Sequence, residues 1–338
     1  MLVVGLDIGG ANLKAASSDG EAVDRPFPLW KQSRQLAAEL RSLIAQLPPA
    51  DAVAVTMTGE LADCFTSKAE GVREIVAAVE TATLRLPAVF WQTGGEFLTA
   101  NEAVELPQLV AAANWHALAT FCGRIVPEGP SLLIDVGSTT TDLVPLHDGA
   151  VVADGLTDLQ RLRAGELVYT GAARTPICAF GTSIRIGDER QPLAAEWFAT
   201  TRDVYLVLGD TPEAVDDLDT ADGRPATISY ARSRLARMLC ADVEEVGEMT
   251  VESFAAAIAR EQRALIEAAL NRVLNRMEGQ PHILLAGSGS FIGRRLVAES
   301  PRLAGADVSS LAEMFARRVS RSACAFAVAR LAVERAVF

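Results

Sequence analysis

Leu6-Asp-Ile-Gly-Gly-Ala-Asn-Leu-Lys-Ala-Ala-Ser-Ser-Asp-Gly-Glu-Ala-Val23 and Ile134-Asp-Val-Gly-Ser-Thr-Thr-Thr-Asp-Leu-Val-Pro-Leu-His-Asp-Gly-Ala-Val151 are two copies of one pattern. Asp7 aligns with Asp135 and Gly9 with Gly137. The Asp-Gly turns at 19–20 and 148–149 correspond after a one-residue shift. Each copy reads as an apolar strand ending in Asp-x-Gly, a tight polar turn, and a second strand running to an Asp-Gly turn. Two such hairpins, one near each end of the first 150 residues, predict two lobes of related topology. Pro127-Glu-Gly-Pro130 marks the boundary. The expected organisation is a first lobe over 1–128, a second over 129–310, and a C-terminal helix over 311–338 that packs back on the first lobe.

The rest of the chain alternates strands with helices, which argues for mainly parallel sheets behind the leading hairpins. Helical spacing covers Lys31–Leu47, ended by Pro48-Pro49, and also Ser67–Leu84, Pro107–Cys122, Asp158–Ala164 and Thr250–Met277. Strands are expected over Asp51–Met57, Ala88–Gln92, Ile177–Ile186, Val204–Gly209 and His282–Ala286. Asp210–Gly223 is acidic and rich in turn residues, so it reads as an exposed loop. Leu311–Val337 reads as one helix, too charged to span a membrane.

Composition narrows the function class. The chain has 338 residues, enough for two domains, and half of them are apolar. A net charge of −12 argues against non-specific binding to nucleic acid or an anionic membrane. The five cysteines are scattered and never spaced as Cys-x-x-Cys, as expected for reduced thiols in a cytoplasmic protein. The three histidines have no neighbours at zinc-ligand spacing, and His116 reads as a core histidine. The N-terminus begins directly as a strand without a secretory pattern.

Both hairpin turns suit a phosphorylated ligand. A carboxylate at a strand end can hold a hydrated divalent cation, and glycines let backbone amides approach phosphate oxygens. In the first turn Asp7, Gly9, Gly10, Asn12 and Lys14 supply these groups; alone, the element reads equally well as a plain hairpin. The second turn follows Asp135 and Gly137 with four consecutive hydroxyls, Ser138 to Thr141, a donor-rich loop for phosphate or metal-bound water. A late strand ending in Gly287-Ser288-Gly289-Ser290 adds a third glycine-rich turn at a sheet's carboxyl edge, where α/β proteins usually bind ligands.

These three elements resemble the phosphate-1, phosphate-2 and adenosine motifs of the actin-like ATPase and sugar-kinase superfamily. The resemblance implies an α/β fold of two RNase H-like lobes with a ligand cleft between them. It assigns Asp7 and Asp135 to Mg²⁺ or another divalent cation. Gly9, Gly10, Asn12, Gly137, Ser138 and Thr139 go to phosphate, and Gly287, Ser288 and Gly289 to the adenosine position. Ser288 and Ser290 interrupt the closely spaced glycines of that last motif, so ATP binding is doubtful.

Further stretches resemble tetrahydromethanopterin-linked one-carbon-transfer pathway proteins, relatives of the hydantoinase/oxoprolinase amino half. They are Thr56-Met-Thr-Gly-Glu-Leu-Ala-Asp63, Phe65-Thr-Ser-Lys-Ala-Glu-Gly-Val72, Ala111-Ala-Ala-Asn-Trp115, Asp135 to Asp142, and Gly165-Glu-Leu-Val-Tyr-Thr-Gly-Ala-Ala-Arg-Thr-Pro176. The resemblance implies a condensation in methanofuran biosynthesis. There an (aminomethylfuranyl)methyl diphosphate is joined to the phenol oxygen of γ-glutamyltyramine and diphosphate is released. Its partners would be these small molecules, with no nucleic acid and no membrane; a homo-oligomer is compatible with the sequence.

For that chemistry, Glu60 and Asp63 are candidates for the base or for an anchor of the furan amine; a helix-start acid is the alternative. Thr140 joins the phosphate loop. Lys68 could touch diphosphate or sit as a solvated helix lysine. Arg174 is a candidate phosphate or carboxylate clamp, or a structural arginine. Tyr169 could stack on an aromatic substrate, but core packing is the expectation. The competing functions are an ATP-dependent small-molecule kinase and a nucleotide-gated regulatory or assembly protein. No base for a kinase is singled out, and the cysteine pattern offers no cluster ligands.

Overall fold

β1 (Val3–Ile8) is apolar in nearly every position and buried along its whole length, as the central strand of a covered sheet must be. It turns back into β2 (Asn12–Ser17) and then β3 (Ala22–Pro26), both antiparallel. On its other side it pairs in parallel with β4 (Ala52–Met57), which pairs with β5 (Ala88–Trp91); β6 (Phe97–Leu98) closes the edge. The strand order is β3-β2-β1-β4-β5-β6.

The second half repeats this wiring. β7 (Pro130–Val136) turns back into β8 (Thr141–His147) and β9 (Ala150–Val151). β10 (Leu167–Val168) covers the outer edge of β8, while β11 (Ser183–Ile186) and β12 (Glu189–Pro192) form a separate hairpin. β13 (His282–Ala286) lies parallel to β7, and β14 (Val308–Ser310) parallel to β13. The order β10-β8-β7-β13-β14 matches β3-β2-β1-β4-β5 strand for strand. This computed structural model describes residues 1–84 and 86–338.

The helices fill three layers. Leu36–Ile44 and Lys68–Thr83 cover the outer face of the first sheet. Thr201–Val207, Ile228–Met238, Glu248–Leu274 and Ser290–Glu299 cover that of the second. Between the sheets lie Asn114–Ile125 and Ala323–Glu334, whose apolar residues form one core with Val3, Ala54, Leu133, Val144 and Leu284. The C-terminal helix rests directly on β1. A Cβ on Gly5 would fall 1.9 Å from the Ala325 carbonyl oxygen, so only glycine permits the contact.

Four expectations are corrected. Val204–Gly209 is mostly helix, Thr201–Val207, nucleated by a Thr200/Asp203 capping box. A short apolar run buried on all sides carries no periodicity that separates helix from strand. Ile177–Phe180 is a 3₁₀ turn, so only Ser183–Ile186 is strand. Leu311–Val337 is three pieces, of which Ala323–Glu334 crosses to β1. The helix expected over Pro107–Cys122 breaks after Val110, Ala112 adopts φ +50°, and a new helix starts at Asn114.

Candidate active site

The two hairpin turns are built alike. Gly9 N–H donates to the Asn12 carbonyl at 3.0 Å, and Gly137 N–H to the Thr140 carbonyl at 2.9 Å. Both turns therefore close over two residues, 10–11 and 138–139, and leave the intervening amides and hydroxyls free of the ladder. Ser138, Thr139 and Thr140 are half-buried, whereas the Thr141 hydroxyl is committed to the Thr170 carbonyl at 2.8 Å.

Register then sets the charges. Asp7 pairs with Lys14 across the first hairpin, and Asp135 with Asp142 across the second. Lys14 Nζ lies 3.8 Å from Asp7 Oδ2. Asp7 Oδ1 is buried without a partner among the described residues, and burial holds this carboxyl above its ordinary value although Lys14 and Asn114 oppose the shift. Burial alone would lower Lys14, but the Asp7, Cys324, Asp135 and Asp24 acids more than offset it and raise its pKa. Asp135 is pushed up to about 7, first by burial and then by the Asp142 charge. Asp142 is also raised by burial, against the pull of Arg161, whose Nη2 lies 2.8 Å away.

The third glycine turn closes on the second hairpin. Gly287 has φ +85°, and a Cβ there would fall 2.4 Å from Asp135 Oδ1. Gly289 N–H donates to the Val136 carbonyl at 2.8 Å. The segment 171–174 is stapled to the second hairpin turn: Ala172 N–H donates to the Gly137 carbonyl, and Ala173 and Arg174 N–H to that of Ser138, each at 2.9 Å. A Cβ on Gly171 would meet Ser138 and Thr139 backbone atoms at 2.6 Å.

Glu60 and Asp63 part company. Gly59 N–H donates to the Ile8 carbonyl at 3.0 Å, so Glu60 lies beside the first hairpin turn. It is 1 % exposed, Oε2 has no partner among the described residues, and burial pushes its pKa up to about 7. Asp63 is exposed. Lys68, at the start of the helix Lys68–Thr83, places its ammonium 3.9 Å from Glu60 Oε1 and 3.7 Å from Asp158 Oδ2. Lys68 thus ties the first lobe to the second.

Arg174 contacts Asp219 at 3.4 Å and sits 5.5 Å from the ring of Trp30 in the first lobe. Tyr169 is 69 % exposed, so the core-packing expectation is corrected: β10 ends before it. His116 is a core histidine, its Nδ1 accepting from Trp91 Nε1 at 3.3 Å, and burial depresses it to about 4.

Several groups around this site escaped the sequence reading. Asp142 occupies the place of Lys14 in the aligned hairpins, a signal present in the repeat itself. Arg161 and Asp158 share one turn of the helix Asp158–Ala164; Arg161 also stacks 3.9 Å over Trp115. Asn114 reaches Asp7 only because the preceding helix breaks. Among the described residues, no cluster of three or more His, Cys, Asp or Glu forms a ready-made metal cage. No helix among them is long and apolar enough to cross a membrane.

A repeated hairpin-led sheet with two helices sandwiched between the repeats is the fold of the actin-like ATPases and sugar kinases. The nucleotide-free structure of acetone carboxylase aligns with 97% of this chain and 70% of its own, with a TM-score of 0.56 at 11% identity. Within that class the chain belongs to the hydantoinase/oxoprolinase family, whose model matches residues 51–335. A protein of Methanocaldococcus jannaschii, (4-{4-[2-(gamma-L-glutamylamino)ethyl]phenoxymethyl}furan-2-yl)methanamine synthase, is 34% identical over 98% of this chain and 97% of its own length. The Methanococcus vannielii protein of the same name is 33% identical over 59% of this chain and 89% of its own length.

Proposed function

We propose that this chain is the methanofuran-pathway transferase that joins an (aminomethylfuranyl)methyl diphosphate to the phenol oxygen of γ-glutamyltyramine, with release of diphosphate, in the cytoplasm. The carrying observation is the full-length relationship to the curated synthase, together with two phosphate-type loops that converge on Asp7 and Asp135. In the step, the bond from the furan-methyl carbon to the phenol oxygen forms as the bond to diphosphate breaks. The leaving group keeps the electron pair.

The chain's residues have identifiable tasks in that reaction. Amides and hydroxyls of residues 9–12 and 137–140 hold the diphosphate where its charge develops. Glu60, poised near neutrality and with one free oxygen, accepts the phenol proton as the ether bond forms. Lys68 holds Glu60 in place and biases it toward the ionised form.

Mg²⁺ or another divalent cation fits the donor set. Asp7 has an unpartnered buried oxygen, and Asp135 carries an electrostatic strain that a cation would relieve. Two carboxylates with diphosphate oxygens and water suit Mg²⁺, which seldom uses all-protein cages. Bound there, it would neutralise the leaving diphosphate. The substrate already carries diphosphate as its leaving group, so the proposed step consumes no ATP.

The test is a diphosphate-release assay with Mg²⁺ and both substrates, with and without ATP, followed by mass spectrometry of the ether. Product without ATP is expected. ADP formation with a small alcohol, and no ether, would replace this reading by a kinase.

A further inference from the structure

The phosphate loops account for the diphosphate half of the reaction and leave the acceptor without a seat. Two side chains rooted on those loops face each other across the lobes. Leu29 N–H donates to the Gly10 carbonyl and Phe27 N–H to that of Ala11, each at 2.9 Å, so Trp30 is anchored to the first loop. Arg174 is anchored to the second through its N–H bond to Ser138. Trp91 and Trp115 are buried in the core, whereas Trp30 keeps part of its indole accessible.

Arg174 is also loosely committed. Arg161 grips Asp142 at 2.8 Å, and Arg295 holds Asp210 through two bonds. Among the described residues Arg174 has one 3.4 Å contact, to the Asp219 side chain, which is 73 % exposed, and a distant ring. Arg202, bound to Asp217 and to the Asp219 carbonyl, holds that acidic loop in front of it. A guanidinium held by one long, solvent-exposed contact exchanges partners easily, and its planar fork suits an incoming carboxylate.

Resting on the reaction proposed above, we infer that Trp30 and Arg174 form the acceptor subsite. The phenyl ring of the acceptor lies on the Trp30 indole. Arg174 trades Asp219 for the carboxylate of the acceptor's glutamyl end. The pair selects for a carboxylate-bearing phenol, and its roots on both loops hold the phenol oxygen beside the diphosphate-bearing carbon.

Calorimetric binding of γ-glutamyltyramine and of N-acetyltyramine, which lacks the carboxylate, tests this in the presence of diphosphate and Mg²⁺. Wild type should prefer the glutamyl compound at least about tenfold, the lower end expected for a charge-assisted pair. Arg174→Met should reduce that preference below about twofold, and Arg174→Lys should restore part of it. Trp30→Leu should weaken both compounds by up to about tenfold, and Trp30→Phe should retain most of the affinity. The inference is overturned if Arg174→Met keeps the full preference, if Trp30→Leu leaves both affinities unchanged, or if wild type binds neither compound. Preferential binding by a wild type that never releases diphosphate would sink the proposed reaction and leave the subsite standing. Ether formation by a wild type that binds both compounds equally would do the reverse.

Discussion

The two hairpins share strand pairing, turn length and the placement of Asp7 and Asp135, yet differ in charge at one equivalent position. The first sets Lys14 opposite its aspartate; the second sets Asp142. The first hairpin is thus a nearly neutral pair. The second is a like-charge pair with Arg161 behind it and strain left on Asp135. Hairpins of like pairing and turn therefore supply different electrostatics: one aspartate has a lysine opposite it, and the other has a second carboxylate.

Removing the shared feature should have the largest effect. Asp7→Asn and Asp135→Asn should each slow diphosphate release by about 10²–10³-fold, the range for losing one charge-stabilising group. Equal rates in wild type and either variant would mean the aspartates are only structural.

Breaking the difference comes next. Lys14→Met leaves Asp7 unpaired and should cost about 2 kcal/mol in denaturant titration. That is below the figure for a fully buried pair because Lys14 is about a third exposed.

Asp135→Asn should do the opposite to stability, and its sign follows from linkage. A carboxylate raised from 3.8 to about 7 binds its proton more tightly in the folded chain. Folded stability therefore falls as pH rises through that window. The amide removes this loss, so its melting temperature should exceed wild type by more at pH 8 than at pH 5. A gain independent of pH would show that Asp135 does not titrate in this range.

The smallest effects sharpen the link between lobes. Lys68 lowers the Glu60 pKa and Asp158 raises it. The acid limb of the pH–rate profile should therefore move to higher pH in Lys68→Met and to lower pH in Asp158→Asn. Shifts of the same sign in both variants would remove Glu60 from the role of base.

Much of the frame was legible in the chain because it rests on local pattern. Asp7, Gly9, Asp135 and Gly137 announce both turns through a repeated motif, and the buried runs at β1, β4, β7 and β13 announce the sheets. The errors fell where local pattern is silent, as in Val204-Tyr-Leu-Val207, an apolar run compatible with helix or strand until its cap and burial are known.

The sequence alone determined the duplicated hairpins and the family, because each hairpin depends on neighbours within about twenty residues and the family is written in motifs spread along the chain. Only the tertiary structure decided that Glu60 is sealed in while Asp63 is exposed. It also decided that Lys68 reaches Asp158, that Arg161 lies on Trp115, and that Trp30 meets Arg174. Most of these contacts join residues about fifty or more positions apart. They exist because two helices sandwiched between the sheets set the distance between the lobes, and no periodicity along a chain encodes that distance.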